Sequence, residues 1–401
     1  MDITLKKSKL SGEVIAPPSK SYTHRALICA GLACGKSVIG GISESEDVNA
    51  TLDCIEAMGA VYVRRANSVT IIGNGGKIKP DAVYRCRESG STLRFFIPIA
   101  LLSGGGVFSC SKRLIERGIG VYTDIFDKLG IEYHISDTQI ELHGKIKPDV
   151  YTVRGNVSSQ FITGLLLALP LIEENSESEI RIIPPIESKE YIAMTLDTMR
   201  LFGVNIKKEG NSFIVKGGKR YSGTDTTIEG DWSNAAFFYA IKEMGNEISI
   251  GGLNADSIQG DRICVEYFKK IKQGFCRLDI SDCPDLGPVL FAFAAANGGA
   301  EFTGTERLSI KECDRAAVMA EELAKFGIET RVEKNSVTVY GGELKVPKKK
   351  LYGNNDHRIV MADAVLALRT SGTIAGCEAV RKSFPNFFEE LKKMGAELIY
   401  D

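Results

Sequence analysis

Six apolar stretches, each opening on a cluster of polar or charged residues, recur along this chain of 401 residues and narrow the folds open to it. The stretches are ALICAGLA, FFIPIALL, FITGLLLALPL, AAFFYAI, PVLFAFAAA and IVMADAVLAL. Their heads are Ser19-Lys20-Ser21 with Arg25, Ser89-Gly90-Ser91 with Arg94, and Ser158-Ser159-Gln160. The later three are Asp231-Trp232-Ser233-Asn234, Asp282-Cys283-Pro284-Asp285 and Asn355-Asp356-His357-Arg358. A helix with almost no polar face is normally buried. Its N-terminus offers unpaired N–H groups and a positive dipole end, which suit phosphate or carboxylate. Six such ends carrying Lys, Arg, Ser and Gln point to one large site for a multiply anionic ligand.

A second element alternates with the first: an amphipathic segment ending in Gly, then two short alternating strands. The copies are CIEAMGAVYVRRANSVTIIG, IFDKLGIEYHISDTQIELHG, TMRLFGVNIKKEGNSFIVKG and LAKFGIETRVEKNSVTVYGG, with a truncated LKKMGAELIY and a degenerate FKKIKQGFCRLDIS. Gly59, Gly130, Gly203, Gly274, Gly327 and Gly395 are the expected left-handed residues that close these helices. Asn67-Ser68, Asp137-Thr138 and Asn335-Ser336 are turn-prone pairs that predict hairpins. Six copies in 401 residues fit an α/β chain of two domains with three units each. Breaks are expected at Pro17-Pro18 and near Thr227–Glu229, giving one domain of 19–227 and another of 1–18 plus 228–401. The N-terminal segment ITLKKSKLSGEVIA would then belong with the second half, so that the chain crosses over twice.

Apolar residues make up 44% of the chain, enough for two substantial cores. Fifty basic against 51 acidic residues argue against a dedicated nucleic-acid or membrane surface, so any anion site must be local. The ten cysteines show no C-x-x-C pair, and several (Cys29, Cys54, Cys264) lie in apolar runs, which predicts reduced thiols in a cytoplasmic protein. The start MDITLKKSKL has no apolar signal core, and no stretch reaches membrane-spanning length without charge. Four histidines, without H-E-x-x-H or paired Cys/His spacing, argue against zinc, and no metal or cofactor is expected.

Gly31-Leu-Ala-Cys-Gly35-Lys36-Ser37 looks like a phosphate loop, but that loop needs four residues between its glycines and precedes its helix. Here there are three, after an apolar run, so a helix-closing turn is the better reading. Pro17-Pro18 stops a strand and Ser19 or Ser21 can cap a helix, which puts Lys20 at the positive dipole end. A cation is unfavourable there without an anion to pair with. Gly90 lets bare backbone approach a ligand. Asp285 and Glu312 lie among these motifs, where a carboxylate could act as acid or base or merely close salt bridges. Arg117 and Lys382 precede amphipathic segments. Each of these signals is modest alone, and a histidine such as His24 or His357 is more often structural than catalytic. Recurrence at equivalent repeat positions is what gives them weight.

The runs PPSKSYTHRAL, SGSTLRF, ERGIG, VSSQFITGLL, EGDWSNAAFF, CPDLGPVLFAFAA, IKECDRAAVMAEELAKFG, NNDHRIVMA and KSFPNFFEEL, in this order, closely resemble the 5-enolpyruvylshikimate-3-phosphate synthase family. The resemblance spans essentially the full length. It implies a fold of two domains, each of three repeated units, linked by two crossovers and closing on ligand. It implies transfer of the enolpyruvyl group of phosphoenolpyruvate to shikimate 3-phosphate, by addition and elimination through a tetrahedral intermediate. By the same match, Lys20, Ser21, Arg25, Ser158, Ser159, Gln160, Ser188, Asp285 and Lys311 would hold shikimate 3-phosphate. Lys20, Gly90, Arg117, Gln160, Arg315, Arg358 and Lys382 would line the phosphoenolpyruvate side, with Arg94, Tyr191 and His357 in support. Asp285, Glu312 and Lys20 are the expected acid–base groups. A monomer and sensitivity to glyphosate at the phosphoenolpyruvate position also follow from the resemblance.

Two positions depart from the family pattern. Glu88 stands where many members have Asn, and Arg307 where some have an Asn that touches the shikimate phosphate. The rival readings are the related transferase acting on UDP-N-acetylglucosamine and a non-catalytic anion-binding relative. The first usually pairs Lys with Asn and uses a loop cysteine, whereas here Ser21 follows Lys20 and the nearest cysteine, Cys110, matches no such loop. Joint retention of Lys20, Asp285, Glu312 and His357 argues against the second.

Overall fold

A short polar side chain caps five of the six expected buried helices in the computed structural model, which describes residues 1–401. The chain divides into one unit of Pro18–Glu229 and another of Met1–Pro17 with Gly230–Asp401. Helices of the 18–229 unit are α1 (Lys20–Leu32), α2 (Glu46–Ala57), α3 (Gly90–Ala100), α4 (Lys112–Glu116), α5 (Gly120–Leu129), α6 (Ser159–Ala168) and α7 (Lys189–Leu201). Those of the other unit are α8 (Trp232–Glu243), α9 (Cys264–Lys272), α10 (Gly287–Ala295), α11 (Arg315–Lys325), α12 (His357–Thr370) and α13 (Phe387–Lys393). Ser19, Ser89, Ser158, Asp231 and Asp356 each accept a backbone N–H within the first turn of α1, α3, α6, α8 and α12. This satisfies donors that would otherwise be orphaned where a helix starts inside a protein.

The sixth head differs. Pro284–Leu286 form a 3₁₀ turn, and α10 begins only at Gly287, with no side-chain cap. Pro288 is the cause: it lacks an N–H and fits only the first turn of a helix, so α10 must start beside it. Asp285 therefore sits in a tight turn ahead of the helix rather than at its first residue.

The five four-stranded sheets repeat one plan. Ala82–Arg87 and Gly105–Cys110 run parallel with α3 between them in sequence, and Gln139–His143 and Glu132–Ile135 add an antiparallel hairpin. The same arrangement joins Val150–Arg154, Glu177–Ile183, Ser212–Lys216 and Lys207–Glu209. It recurs in Cys276–Asp279, Ala300–Thr303, Ser336–Val339 and Thr330–Val332. In two of the four-stranded sheets a strand comes from far away in sequence. Thr226–Thr227 pairs parallel to Lys36–Gly40, and Asp2–Leu5 lies between Gly372–Ala375 and Leu398–Tyr400. The N-terminal Ser11–Ile15 likewise pairs with Glu247–Gly251, and this sheet stays two-stranded because the degenerate copy after α9 forms no hairpin.

The six helix-closing glycines all have positive φ, from 68° at Gly130 to 127° at Gly274. Hairpins form at Asn67-Ser68, Asp137-Thr138 and Asn335-Ser336 as expected. Gly35 turns the chain out of α1 into the strand Lys36–Gly40, so the phosphate-loop lookalike closes a helix. Each unit has its own core, and the apolar helices α1, α3 and α6 lie in one, α8, α10 and α12 in the other.

Candidate active site

The heads of α1, α3 and α6 are tied together within the 18–229 unit. Pro98 inside α3 cannot donate to the carbonyl of Arg94 four residues back. The hydroxyl of buried Tyr122, on α5, donates to that carbonyl instead at 2.6 Å. Gly164 allows the approach of α6, since a Cβ there would fall 2.4 Å from the same oxygen. Arg94 itself is buried and lies over the Phe161 ring. Its Nη1 donates to Gln160 Oε1 at 2.7 Å and its Nη2 to the Gly118 carbonyl at 3.1 Å. Gln160 in turn donates to Ser91 Oγ at 3.0 Å. Arg94 thus binds the Gly90 turn, the Gln160 helix start and the segment carrying Arg117 into one block. A Cβ at Gly90 would fall 2.9 Å from Arg94 Nη1 and 3.1 and 3.2 Å from Arg117 Nη2 and Nη1.

On the α1 side, Lys20 Nζ lies 2.8 Å from Asp47 Oδ2. Arg25 donates to the Ser21 carbonyl at 2.7 Å, the Tyr191 carbonyl at 2.9 Å and Thr195 Oγ1 at 2.8 Å. Burial pulls its guanidinium down to about 10, so it stays charged at neutral pH. Ser188 precedes α7 in a left-handed conformation, with φ of 55°. Lys20, Ser21, Arg25, Gly90, Arg94, Arg117, Ser158, Ser159, Gln160, Ser188 and Tyr191 all belong to this unit.

The 230–401 unit holds Asp285, Lys311, Glu312, Arg315, His357, Arg358 and Lys382. Here the carboxylates and cations neutralise one another. Asp285 accepts from Lys311 Nζ at 3.1 Å and Arg315 Nη1 at 2.9 Å on one oxygen, and from Arg358 Nη2 at 3.0 Å on the other. Arg315 Nη2 donates to Glu312 at 2.8 Å. Lys382 reaches the Asn355 carbonyl at 2.6 Å, which brings it to the head of α12. His357 is buried beside Asp356, with Nδ1 3.8 Å from its carboxylate. Burial opposes the charge on Arg315, yet Asp356, Glu312 and Asp285 together outweigh it and hold the guanidinium well above its usual value. Burial pulls Lys311 the other way, below its ordinary value. Arg307, the departure weighed above, donates to the Ser281 carbonyl.

Three carboxylates here and in the other unit have no role in the sequence reading. Asp356 is fully buried, caps α12 and accepts from Arg315 Nε at 2.7 Å, so it sets the angle at which Arg315 meets Asp285 and Glu312. Asp47 is the partner of Lys20. Asp261, buried ahead of α9, is pushed up to about 7 by burial and by Asp285, against the pull of Arg358. Its stabilising share is whole below pH 3.8 and is lost as the pH rises to about 7, because the folded state binds this proton more tightly. Asp261→Asn should therefore gain Tm over wild type as the pH rises, from little difference at acid pH to about 2 °C or more at alkaline pH. A difference independent of pH would show that Asp261 does not titrate as described. Of the three, only Asp356 stood in a motif of the sequence, the Asn355-Asp356-His357-Arg358 head.

Residues 5–391 match the family profile of EPSP synthase (3-phosphoshikimate 1-carboxyvinyltransferase). A 3-phosphoshikimate 1-carboxyvinyltransferase of Clostridium kluyveri is 39% identical, over 99% of this chain and 98% of its own length. The protein of that name from Clostridioides difficile is 37% identical, over 98% and 97%. Among solved structures, EPSP synthase from Acinetobacter baumannii superposes with a TM-score of 0.80 at 23% identity over the whole of both chains, which shows a shared fold. With matches that run nearly end to end, the chain belongs to the EPSP synthase family of enolpyruvyl transferases.

Proposed function

We infer that this chain transfers the enolpyruvyl group of phosphoenolpyruvate to the 5-hydroxyl of shikimate 3-phosphate and releases phosphate. This is the shikimate-pathway step toward chorismate and the aromatic amino acids. The observation that carries the reading is a family match over residues 5–391 that includes the Asp285–Arg315–Glu312 cluster. Both substrates are multiply anionic, which accounts for the number of Lys and Arg side chains in the proposed site. Lys20, Ser21, Arg25, Ser158, Ser159, Ser188, Asp285 and Lys311 are assigned to shikimate 3-phosphate, and Gly90, Arg117, Arg315, Arg358 and Lys382 to phosphoenolpyruvate. Lys20 and Gln160 serve both.

In this mechanism the 5-hydroxyl attacks the enol carbon while the methylene carbon takes a proton, giving a tetrahedral phosphoketal. Loss of phosphate, with a proton from the new methyl group, restores the enol ether. Asp285 takes the hydroxyl proton and Glu312 serves the methylene, with Lys20 assisting. Arg315 bonds both carboxylates, which supports treating them as a pair. Arg358 occupies one oxygen of Asp285 in the free protein. An anionic substrate gives Arg358 another partner and leaves that oxygen to accept a proton.

Phosphate release from phosphoenolpyruvate tests the reading, with shikimate 3-phosphate and UDP-N-acetylglucosamine compared as acceptors. Release with shikimate 3-phosphate alone is expected. Release only with the sugar nucleotide would move the chain to the sister activity, and release with neither would leave an anion-binding relative.

The glycine at position 90 makes a sharper prediction. A methyl group there meets two guanidinium ends, one of them pinned by Gln160, Gly118 and Phe161. Gly90→Ala should raise the glyphosate inhibition constant by about tenfold or more and raise KM for phosphoenolpyruvate as Arg117 is displaced. Equal inhibition constants for the two proteins would remove Gly90 from that site. The ten cysteines are all unpaired, which fits a reducing cytoplasm. A monomer of 43.7 kDa is expected in sedimentation, and a doubled mass would overturn it.

A further inference from the structure

Helix α2 meets α1 in register. Lys20 and His24 are four residues apart on α1, and Asp47 and Thr51 four apart on α2, so each pair shares a helix face. Lys20 Nζ donates to Asp47 at 2.8 Å, and one turn along His24 Nδ1 lies 2.7 Å from Thr51 Oγ1. The contact does not stop there. Thr51 Oγ1 is 2.7 Å from Thr92 Oγ1, and Thr92 Oγ1 is 2.7 Å from Ser89 Oγ, the cap of α3. His24, Thr51, Thr92 and Ser89 are all buried. Burial holds His24 neutral, down to about 3, so this is a chain of neutral hydrogen bonds at neutral pH.

The chain is one arc of a ring. Gln160 joins α6 to α3 through Ser91, Thr163 on α6 meets Thr195 on α7 at 2.8 Å, and Arg25 returns from α1 to Thr195 at 2.8 Å. Helices α1, α2, α3, α6 and α7 are thereby bonded in a closed circuit that runs past the heads of α1, α3 and α6. Thr51 is the point in that circuit where one hydroxyl bonds both His24 on α1 and Thr92 on α3.

We propose that Thr51 is a positioning residue for phosphoenolpyruvate: by bonding His24 and Thr92 together, its hydroxyl fixes Lys20 at the head of α1 against Gly90 at the head of α3. The proposal rests on the functional reading above, which assigns both of those residues to this substrate. Thr51 touches no substrate itself. The simpler role for a buried hydroxyl, satisfying its neighbours and adding stability, predicts a different outcome, and kinetics separates the two.

Thr51→Val keeps the shape and removes both hydrogen bonds, whereas Thr51→Ser keeps the hydroxyl. The valine variant should raise KM for phosphoenolpyruvate by about tenfold, since small misplacements of binding groups are costly, with kcat within about threefold of wild type. Serine should restore KM. Thr92→Val breaks the same link from the α3 side, leaves His24 bonded to Thr51, and should give the same rise. The chain has four histidines, so the ¹⁵N resonances of His24 can be assigned, and they should move in Thr51→Val. A KM within about twofold of wild type in both valine variants overturns the proposal. Unmoved His24 resonances overturn it too, as does a kcat that falls with the folded fraction at unchanged KM. Wild-type protein that releases no phosphate with shikimate 3-phosphate sinks the functional reading instead, and the His24 resonances still decide whether Thr51 links the two helices.

Discussion

Asp285→Asn should lower kcat by about 10²–10⁴-fold while leaving KM for phosphoenolpyruvate no higher than in wild type. The amide keeps the size of the carboxylate and one acceptor oxygen, but it cannot take a proton from the 5-hydroxyl. It also removes the counter-charge on which Lys311, Arg315 and Arg358 converge. Those cations then meet an anionic substrate with less competition, so binding is preserved or improved. The split between kcat and KM is the informative part. A residue needed only to hold Arg358 in place would raise KM when replaced, and kcat would fall little. Turnover close to wild type would remove Asp285 from proton transfer and leave Glu312 as the group to test, by Glu312→Gln in the same assay.

The second large effect concerns stability. Arg315 is 1% exposed and meets Asp285, Glu312 and Asp356 through all three of its nitrogens. Arg315→Met has similar length and no charge, and it strands fully buried Asp356 without its main partner. Breaking a buried ion pair from one side typically costs about 3–5 kcal/mol, because the remaining charge stays desolvated. Denaturant unfolding of Arg315→Met should show a loss of that order. Arg315→Met combined with Asp356→Asn should recover part of it, since the second change removes the stranded charge, but turnover should stay lost. A single variant within about 1 kcal/mol of wild type would mean that water or a rearranged Lys311 replaces Arg315. Failure of the double variant to recover would mean that the loss comes from packing rather than charge.

Much of this architecture is legible locally. Ser19, Ser89, Ser158, Asp231 and Asp356 stand in the polar heads of apolar runs, and capping chemistry needs only the residues within one turn. Gly130 and its five counterparts mark helix ends for an equally local reason. Asp285 shows where this logic misleads. Its polar neighbours resemble a helix head, and only the Gly287-Pro288 pair reveals that the helix starts later. The partners of the candidate site are another matter. Nothing near Asp47 says that it meets Lys20, and nothing near Thr51 says that it lies between His24 and Thr92. Those contacts depend on which helices abut, and helix packing is decided by apolar faces that many partners could satisfy. Asp261 is hidden in the same way, since its shift comes from burial and from Asp285, 24 positions away in sequence.

The strand Asp2–Leu5 pairs with Gly372–Ala375 and Leu398–Tyr400, so it is made long before the strands it must join. At about 5–20 residues per second on the ribosome, it waits on the order of tens of seconds for them to appear. The 18–229 unit faces no such delay, because every strand it uses has been synthesised once Thr226–Thr227 has emerged. Translation thus imposes an order: the 18–229 unit can complete its three sheets while the strand Asp2–Leu5 still waits for its partners. Until then Ile3 and Leu5, both bound for the core of the other unit, stay without their apolar neighbours.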